Sequence, residues 1–117
     1  MYITIDLDVS DKDRAAEFWC AVLDYEIHGS AGQYCSIRPR DGAVGPKLIL
    51  QQVSDPKIAK NRMHFDLDLQ PGEDLTSEVE RIVALGATSV WGPIEEHGMR
   101  WFTLADPDGN EFCVCSA

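Results

Sequence analysis

His64 is followed at alternate positions by Asp66 and Asp68, and the spacing Thr4, Asp6, Asp8 occurs near the start of the chain. An imidazole beside carboxylates is equipped to move a proton or bind a ligand, because a neighbouring carboxylate orients the ring and raises its pKa. Glu111, Cys113 and Cys115 repeat the alternate spacing and set a carboxylate and two thiols in one line. Tyr34, Arg38, Gln51 and Trp101 add aromatic, cationic and amide groups at positions of the same kind. The candidate catalytic groups are therefore His64 and Glu111. The candidate ligand-contact groups are Thr4, Asp6, Tyr34, Arg38, Gln51, Asp66, Trp101 and Cys113. Each has a plainer alternative: His64 as a hydrogen-bonded structural group, the aspartates as solvated rim residues, Glu111 as the start of a strand, and Tyr34 and Trp101 as core. Four ionised aspartates buried together would repel one another. Some must then lie at a rim, pair with Arg38, Lys47 or Arg100, or meet a cationic ligand.

These residues must be held by strands, since only an extended chain sends every second side chain to one face. Ile3, Ile5, Leu7 and Val9 alternate with Thr4, Asp6 and Asp8 and predict a half-buried strand. Ser10 is then expected to cap a helix whose apolar stripe is Ala15, Phe18, Trp19, Val22 and Leu23. Strands are expected at Tyr25–His28, Gln33–Arg38 and Lys47–Val53, and the polar stretch Ser54–Asn61 reads as a connector. The order then repeats. Met63, Phe65, Leu67 and Leu69 alternate with His64, Asp66 and Asp68, and Leu75, Val79, Ile82 and Val83 form a second helical stripe closed by Gly86. Strands at Ala87–Trp91, Met99–Ala105 and Glu111–Cys115 follow, with Ile94–Gly98 expected as an exposed loop able to act as a lid. Asp106-Pro107-Asp108-Gly109 has the residues of a type I turn.

Ile5-Asp6-Leu7-Asp8-Val9 lines up with Phe65-Asp66-Leu67-Asp68-Leu69, and Gly45 with Gly109 ahead of each last strand. This internal repeat predicts an α+β fold of two tandem βαβββ modules forming a curved mixed sheet, with helices on the outer faces. The modules are expected at about residues 1–53 and 62–117, joined by the connector 54–61, in one domain. The helices must cover the apolar side of each first strand. The opposite side then carries Thr4, Asp6, Asp8, His64, Asp66 and Asp68, joined by Glu111, Cys113, Cys115, Lys47, Ile49 and Gln51. Tyr34, Ser36, Arg38, Trp101 and Thr103 share that face. Such a lining suits a small-molecule pocket, although an antiparallel sheet also tolerates a solvated face.

The chain has 117 residues, with 10 Lys plus Arg against 20 Asp plus Glu and a formal net charge of −10. That balance argues against nucleic-acid or anionic-membrane partners, which are bound through basic side chains. With 44% hydrophobic and 26% charged residues the composition is globular, and neither a membrane span nor a signal peptide is evident. A cytoplasmic location is expected. Cys20, Cys35, Cys113 and Cys115 lie in apolar or strand-like stretches and read as reduced thiols. Cys113 and Cys115 sit about 6.5 Å apart on one strand face, with parallel Cβ vectors that do not favour a disulfide.

The duplication, the opening Asp6-Leu7-Asp8-Val9-Ser10-Asp11 leading to Phe18-Trp19, and the closing Asp106-Pro107-Asp108-Gly109-Asn110-Glu111-Phe112 resemble the vicinal oxygen chelate superfamily. That superfamily includes glyoxalase I, fosfomycin-resistance thiol transferases, extradiol dioxygenases and bleomycin-resistance proteins, and the short glyoxalase-like branch is the nearest in pattern. The resemblance implies two modules curved around a cup, often completed by a second chain, so a homodimer is expected. It also implies metal ligands on the first and fourth strand of each module. Those positions fall on Thr4, Ile49, His64 and Cys113 here, and only His64 is clearly a competent ligand. A register slip of two would bring in Gln51, Glu111 or Cys115. A metal of the family type is therefore not expected, since a Lewis-acid site needs about three suitable protein ligands. The resulting expectation is a glyoxalase-like small-molecule binding protein with a polar and aromatic cavity and a degenerate metal site. The alternative is a lyase, isomerase or transferase that uses His64 for proton transfer or as a metal ligand.

Overall fold

A computed structural model describes residues 2–116 and divides the chain into two compact units that meet in sequence between Pro56 and Lys57. The first unit contains β1 (Thr4–Val9), α1 (Lys12–Leu23), β2 (Tyr25–Ala31), β3 (Tyr34–Pro39) and β4 (Lys47–Gln52). The second contains β5 (Phe65–Asp68), α2 (Leu75–Ala84), β6 (Thr88–Glu96), β7 (Met99–Ala105) and β8 (Glu111–Ser116). Each is a βαβββ module with a four-stranded mixed sheet, ordered β1-β4-β3-β2 in the first and β5-β8-β7-β6 in the second. In both, the first strand runs parallel to the last and the remaining pairs are antiparallel.

The register explains why the repeat was visible in the sequence. Asp6 stands opposite Ile49 in the first sheet, and Asp66 stands opposite Cys113 in the second. The aspartates of the repeated motif thus occupy equivalent places relative to the last strand. Alternation also decides burial. Cys35, Ile37, Leu48 and Leu50 turn inward and are buried, Ser36 and Ile49 between them are half-buried, and the flanking Tyr34, Arg38 and Lys47 are exposed. Withdrawing a Leu or Ile side chain from water contributes about 1.5–3 kcal/mol, so a one-residue slip would expose the whole buried row.

Helix α1 packs on β2, β3 and β4 through Ala15, Ala16, Phe18, Trp19 and Val22. Phe18 and Trp19 meet edge to face at 5.1 Å. Asp11, not Ser10, caps this helix: one carboxylate oxygen accepts from the amides of Asp13 and Arg14, each at 3.1 Å. The Ser10 hydroxyl instead accepts from the Arg14 guanidinium at 2.9 Å. A carboxylate is the stronger acceptor at the positive end of a helix, which decides between two adjacent capping residue types. Helix α2 covers β8 with Leu75, Val79 and Ile82 buried, and Asp74 caps it through the Ser77 amide and hydroxyl. Gly86, at φ 125°, takes the chain out of this helix in a conformation that side-chain-bearing residues avoid.

The stretch Ile94–Glu96 is not a loop. Strand β6 continues through it to Glu96, and His97-Gly98, both at positive φ, make the two-residue turn into β7. That geometry matches the twist of a hairpin and favours such a turn over a mobile lid. Of the pairings considered for the aspartates, neither Arg38 nor Arg100 serves: Arg38 faces Glu26 at 3.7 Å, and Arg100 faces Glu95 at 3.4 Å.

Candidate functional site

In the second unit the exposed row of β5 and the outward rows of β7 and β8 form the wall of a cavity of about 600 Å³. Its size lies within the range of small-molecule pockets. His64 immediately precedes β5, and its Nε2 lies 3.2 Å from an Asp66 carboxylate oxygen. Asp66 stands opposite Cys113, and Cys113 is paired in register with Thr103 on β7, whose hydroxyl lies 3.5 Å from the thiol sulfur. Trp101 stands opposite Cys115 and closes the wall from β7. Val90 and Trp91 from β6 and Met99 from β7 supply much of the apolar lining.

Strand β8 is buried on both faces. Phe112 and Val114 alternate along it with Cys113 and Cys115, all four at 9% exposure or less, and Phe112, Cys113 and Cys115 border the cavity. Small thiols allow this, because larger side chains on the cavity face would fill it. All four cysteines are free thiols. Burial, then the charge of Asp66, the neighbouring Cys113 and Asp68, push the Cys115 thiol up to about 11. It stays a neutral, weakly reactive wall group at physiological pH.

Glu111 enters the same cavity with its carboxylate engaged at both oxygens. One meets the Lys57 ammonium at 2.8 Å and the other accepts from the Asn61 amide at 3.0 Å. Burial alone would raise this carboxyl. The Asn61 amide, the Lys57 ammonium and the residue's own backbone N–H outweigh it and hold the group at about 2. Such a carboxylate is a weak base, and its evident work is to tie the segment 57–61 to the head of β8. Asp106 fixes the turn ahead of that strand. It is 3% exposed, accepts from the amides of Asp108 and Asn110 and from the Asn110 side chain, and its carbonyl closes the turn to Gly109.

Five candidates from the sequence, His64, Asp66, Trp101, Glu111 and Cys113, therefore line one cavity. The other five, Thr4, Asp6, Tyr34, Arg38 and Gln51, lie in the first unit on one face of its sheet, with Thr4 opposite Lys47 and Tyr34 opposite Gln51. There, burial and, second, the charge of Asp8 push the Asp6 carboxyl up. Trp91, Val90, Met99 and Lys60 were missed as lining residues. Register shifts between Ser89 and Ile94 break the alternation that would have assigned Trp91 a face. The ties from Lys57 and Asn61 to Glu111 span 54 and 50 residues and have no local signature.

The family model for the glyoxalase-like domain matches residues 2–115. The chain belongs to this family. Solved structures agree on the fold of this glyoxalase-like chain. The fosfomycin resistance protein FosX from Listeria monocytogenes is 19% identical, with a TM-score of 0.80 over 100% of this chain and 93% of that one. A glyoxalase-related enzyme from Fulvimarina pelagi is 17% identical, with a TM-score of 0.78 over 100% and 88%. A glyoxalase/bleomycin resistance protein from Albidiferax ferrireducens T118 is 17% identical, with a TM-score of 0.70 over 100% and 98%. No curated protein matches the sequence. Among the described residues, no helix is long and apolar enough to cross a membrane.

Metal-dependent relatives prompt a test of the donors present. The repeat equates His64 with Thr4 and Cys113 with Ile49, so the first module of this glyoxalase-like chain supplies no ligating side chain at those positions. In the second module, however, His64, Asp66 and Cys113 each offer one donor atom, all within 4.8 Å of one another. Asp66, two residues beyond His64, completes a set of three that the strand-position comparison left incomplete.

Proposed function

We propose that this glyoxalase-like chain is a small-molecule binding protein whose ligand occupies the cavity of the second unit. One observation carries the reading. A cavity of about 600 Å³ combines the apolar surfaces of Trp91, Trp101 and Met99 with a compact polar group, His64, Asp66 and Cys113. An apolar wall with a few convergent polar groups is the make-up of a binding pocket, in which the apolar area supplies affinity and the polar atoms fix orientation. In this role Glu111 is a positioning residue that holds the head of β8, and Cys115 is wall.

Ligand binding is tested by tryptophan fluorescence, with a panel of small aromatic and heteroaromatic compounds titrated into the intact chain. Saturable quenching is expected from Trp91 and Trp101, with the ligand recovered unchanged. Trp101→Ala should weaken binding at least tenfold while leaving the fold intact. Unchanged affinity in that variant removes the cavity from the reading, and quantitative conversion of the ligand replaces binding by catalysis.

The 3.2 Å approach of His64 Nε2 to Asp66 favours a second reading, an enzyme in which His64 moves a proton with Asp66 orienting the ring. Under it His64→Ala abolishes turnover of a converted ligand, and an active His64→Ala protein disposes of it.

A further inference from the structure

Two rows of side chains cross the sheet of the second unit. In one, Trp91 on β6 stands opposite Thr103 on β7, Thr103 opposite Cys113 on β8, and Cys113 opposite Asp66 on β5. In the other, Trp101 stands opposite Cys115, and Cys115 opposite Asp68. Each row runs from an indole, over small side chains, to a carboxylate. We propose, resting on the binding reading above, that the ligand of this cavity is an organic cation with a flat apolar body. The body lies against Trp91 and Trp101, and a protonated amine reaches across the thiol floor to Asp66, with the charge of Asp68 behind it.

Three observations support this. The first is spacing. Neighbouring strands lie about 4.8 Å apart, so indole and carboxylate stand about 10–14 Å apart along the two rows, measured between backbones. Side chains reaching in from both ends leave a gap that one small two-ended molecule spans, and Thr103, Cys113 and Cys115 keep the floor between them low. The second is exposure. Trp91 is 66% exposed and Val90 55%, and both line the cavity beside Met99. An indole left in water forgoes the burial that large apolar side chains ordinarily gain. A flat ligand supplies that burial, and the face of an indole also attracts a cation. The third is charge. Among the described residues, no Lys or Arg is paired with Asp66 or Asp68, whereas Glu111 in the same cavity is taken by Lys57. Asp66 meets His64, which is charged only if protonated and engages one carboxylate oxygen. Burial first, and the charge of Asp66 second, raise the Cys115 thiol, so that charge is felt on the cavity floor. Lys60 is the opposing charge in the lining, and it sits on the exposed connector rather than on the sheet.

The experiment is calorimetric titration of the full-length chain with three probes that share one ring system: naphthylmethylamine, naphthalenemethanol and naphthylacetate. At neutral pH these are a cation, a neutral molecule and an anion. The amine should bind about tenfold more tightly than the alcohol, and the acetate more weakly than either. Raising the salt should shrink the preference for the amine, because the carboxylates are exposed and screened. Asp66→Asn, close in shape and at an exposed position, should remove most of that preference while leaving the affinity for the alcohol unchanged. Asp66→Glu, which keeps the charge, should retain it. Trp101→Ala should weaken all three probes alike. Equal binding of amine and alcohol, tighter binding of the acetate, or a preference that survives in Asp66→Asn overturns the cation assignment and leaves the binding reading standing. Binding of none of the three overturns the assignment and removes the cavity from the binding reading as well, so the two failures have different signatures.

Discussion

Removing the Glu111 carboxylate tests whether a single charged contact organises the head of β8. The group accepts from the Asn61 amide at 3.0 Å and from the Lys57 ammonium at 2.8 Å, with both partners of the ion pair at or below one quarter exposure. A hydrogen bond to a charged acceptor contributes about 1.5–3 kcal/mol, and a partly exposed ion pair adds up to about 1 kcal/mol. Glu111→Ala should therefore lower stability by about 2–3 kcal/mol, and Lys57→Met, which keeps the Asn61 bond, by about 1 kcal/mol. The pH dependence has a definite sign. The carboxyl is held at about 2 in the folded chain against an ordinary 4.5, so the folded state prefers its charged form. The contribution is then fully present above pH 4.5 and is lost as pH falls through about 2. Urea unfolding of wild type and Glu111→Ala at a series of pH values reads this directly. The two should differ by a constant amount from about pH 7 to pH 5 and converge steadily below that. A difference that stays flat down to about pH 3, or a loss no larger than the few tenths of a kcal/mol of an exposed pair, refutes the argument.

Other outcomes follow from neighbouring features. Asp106→Ala leaves the amides of Asp108 and Asn110 without their buried acceptor, and should cost about 2–4 kcal/mol in urea unfolding. Asp106→Asn, which keeps an acceptor oxygen, should recover part of that loss. The Cys115 thiol, raised to about 11, should be alkylated by iodoacetamide at neutral pH far more slowly in the folded chain than after unfolding in urea, as peptide mass mapping would show. Light scattering of the intact chain should give about twice the 13.0 kDa chain mass if, as expected from the resemblance, two copies pair; a strictly monomeric result removes that expectation.

Much of the fold is legible because burial writes a short period into the chain. Alternation in Thr4–Val9 and Phe65–Asp68, helical stripes between them, and the matched aspartates reveal two βαβββ modules, since each strand must hide one face and each helix one stripe. The same alternation placed His64, Asp66, Trp101, Glu111 and Cys113 on a shared wall. It failed where the chain departs from a regular period. Register shifts around Trp91 hid a lining residue, and the stretch Ile94–Glu96, polar and flanked by turn residues, is an edge strand whose pairing comes only from β7. Ser10 and Asp11 are adjacent capping types, and only the structure shows the Asp11 carboxylate accepting from the amides of Asp13 and Arg14.

What sequence alone determined was therefore the repeat, the faces and the identity of the polar groups, all set by interactions between near neighbours. Tertiary structure decided what those groups do to one another. Glu111 became an anchored anion because Lys57 and Asn61, more than forty-five positions earlier, come within hydrogen-bonding distance. Asp66 came close to both His64 and Cys113 because parallel pairing of β5 with β8 sets it opposite that thiol. Distances of about 3 Å fix charge, proton affinity and coordination, and chain spacing carries no record of them until the strands have met.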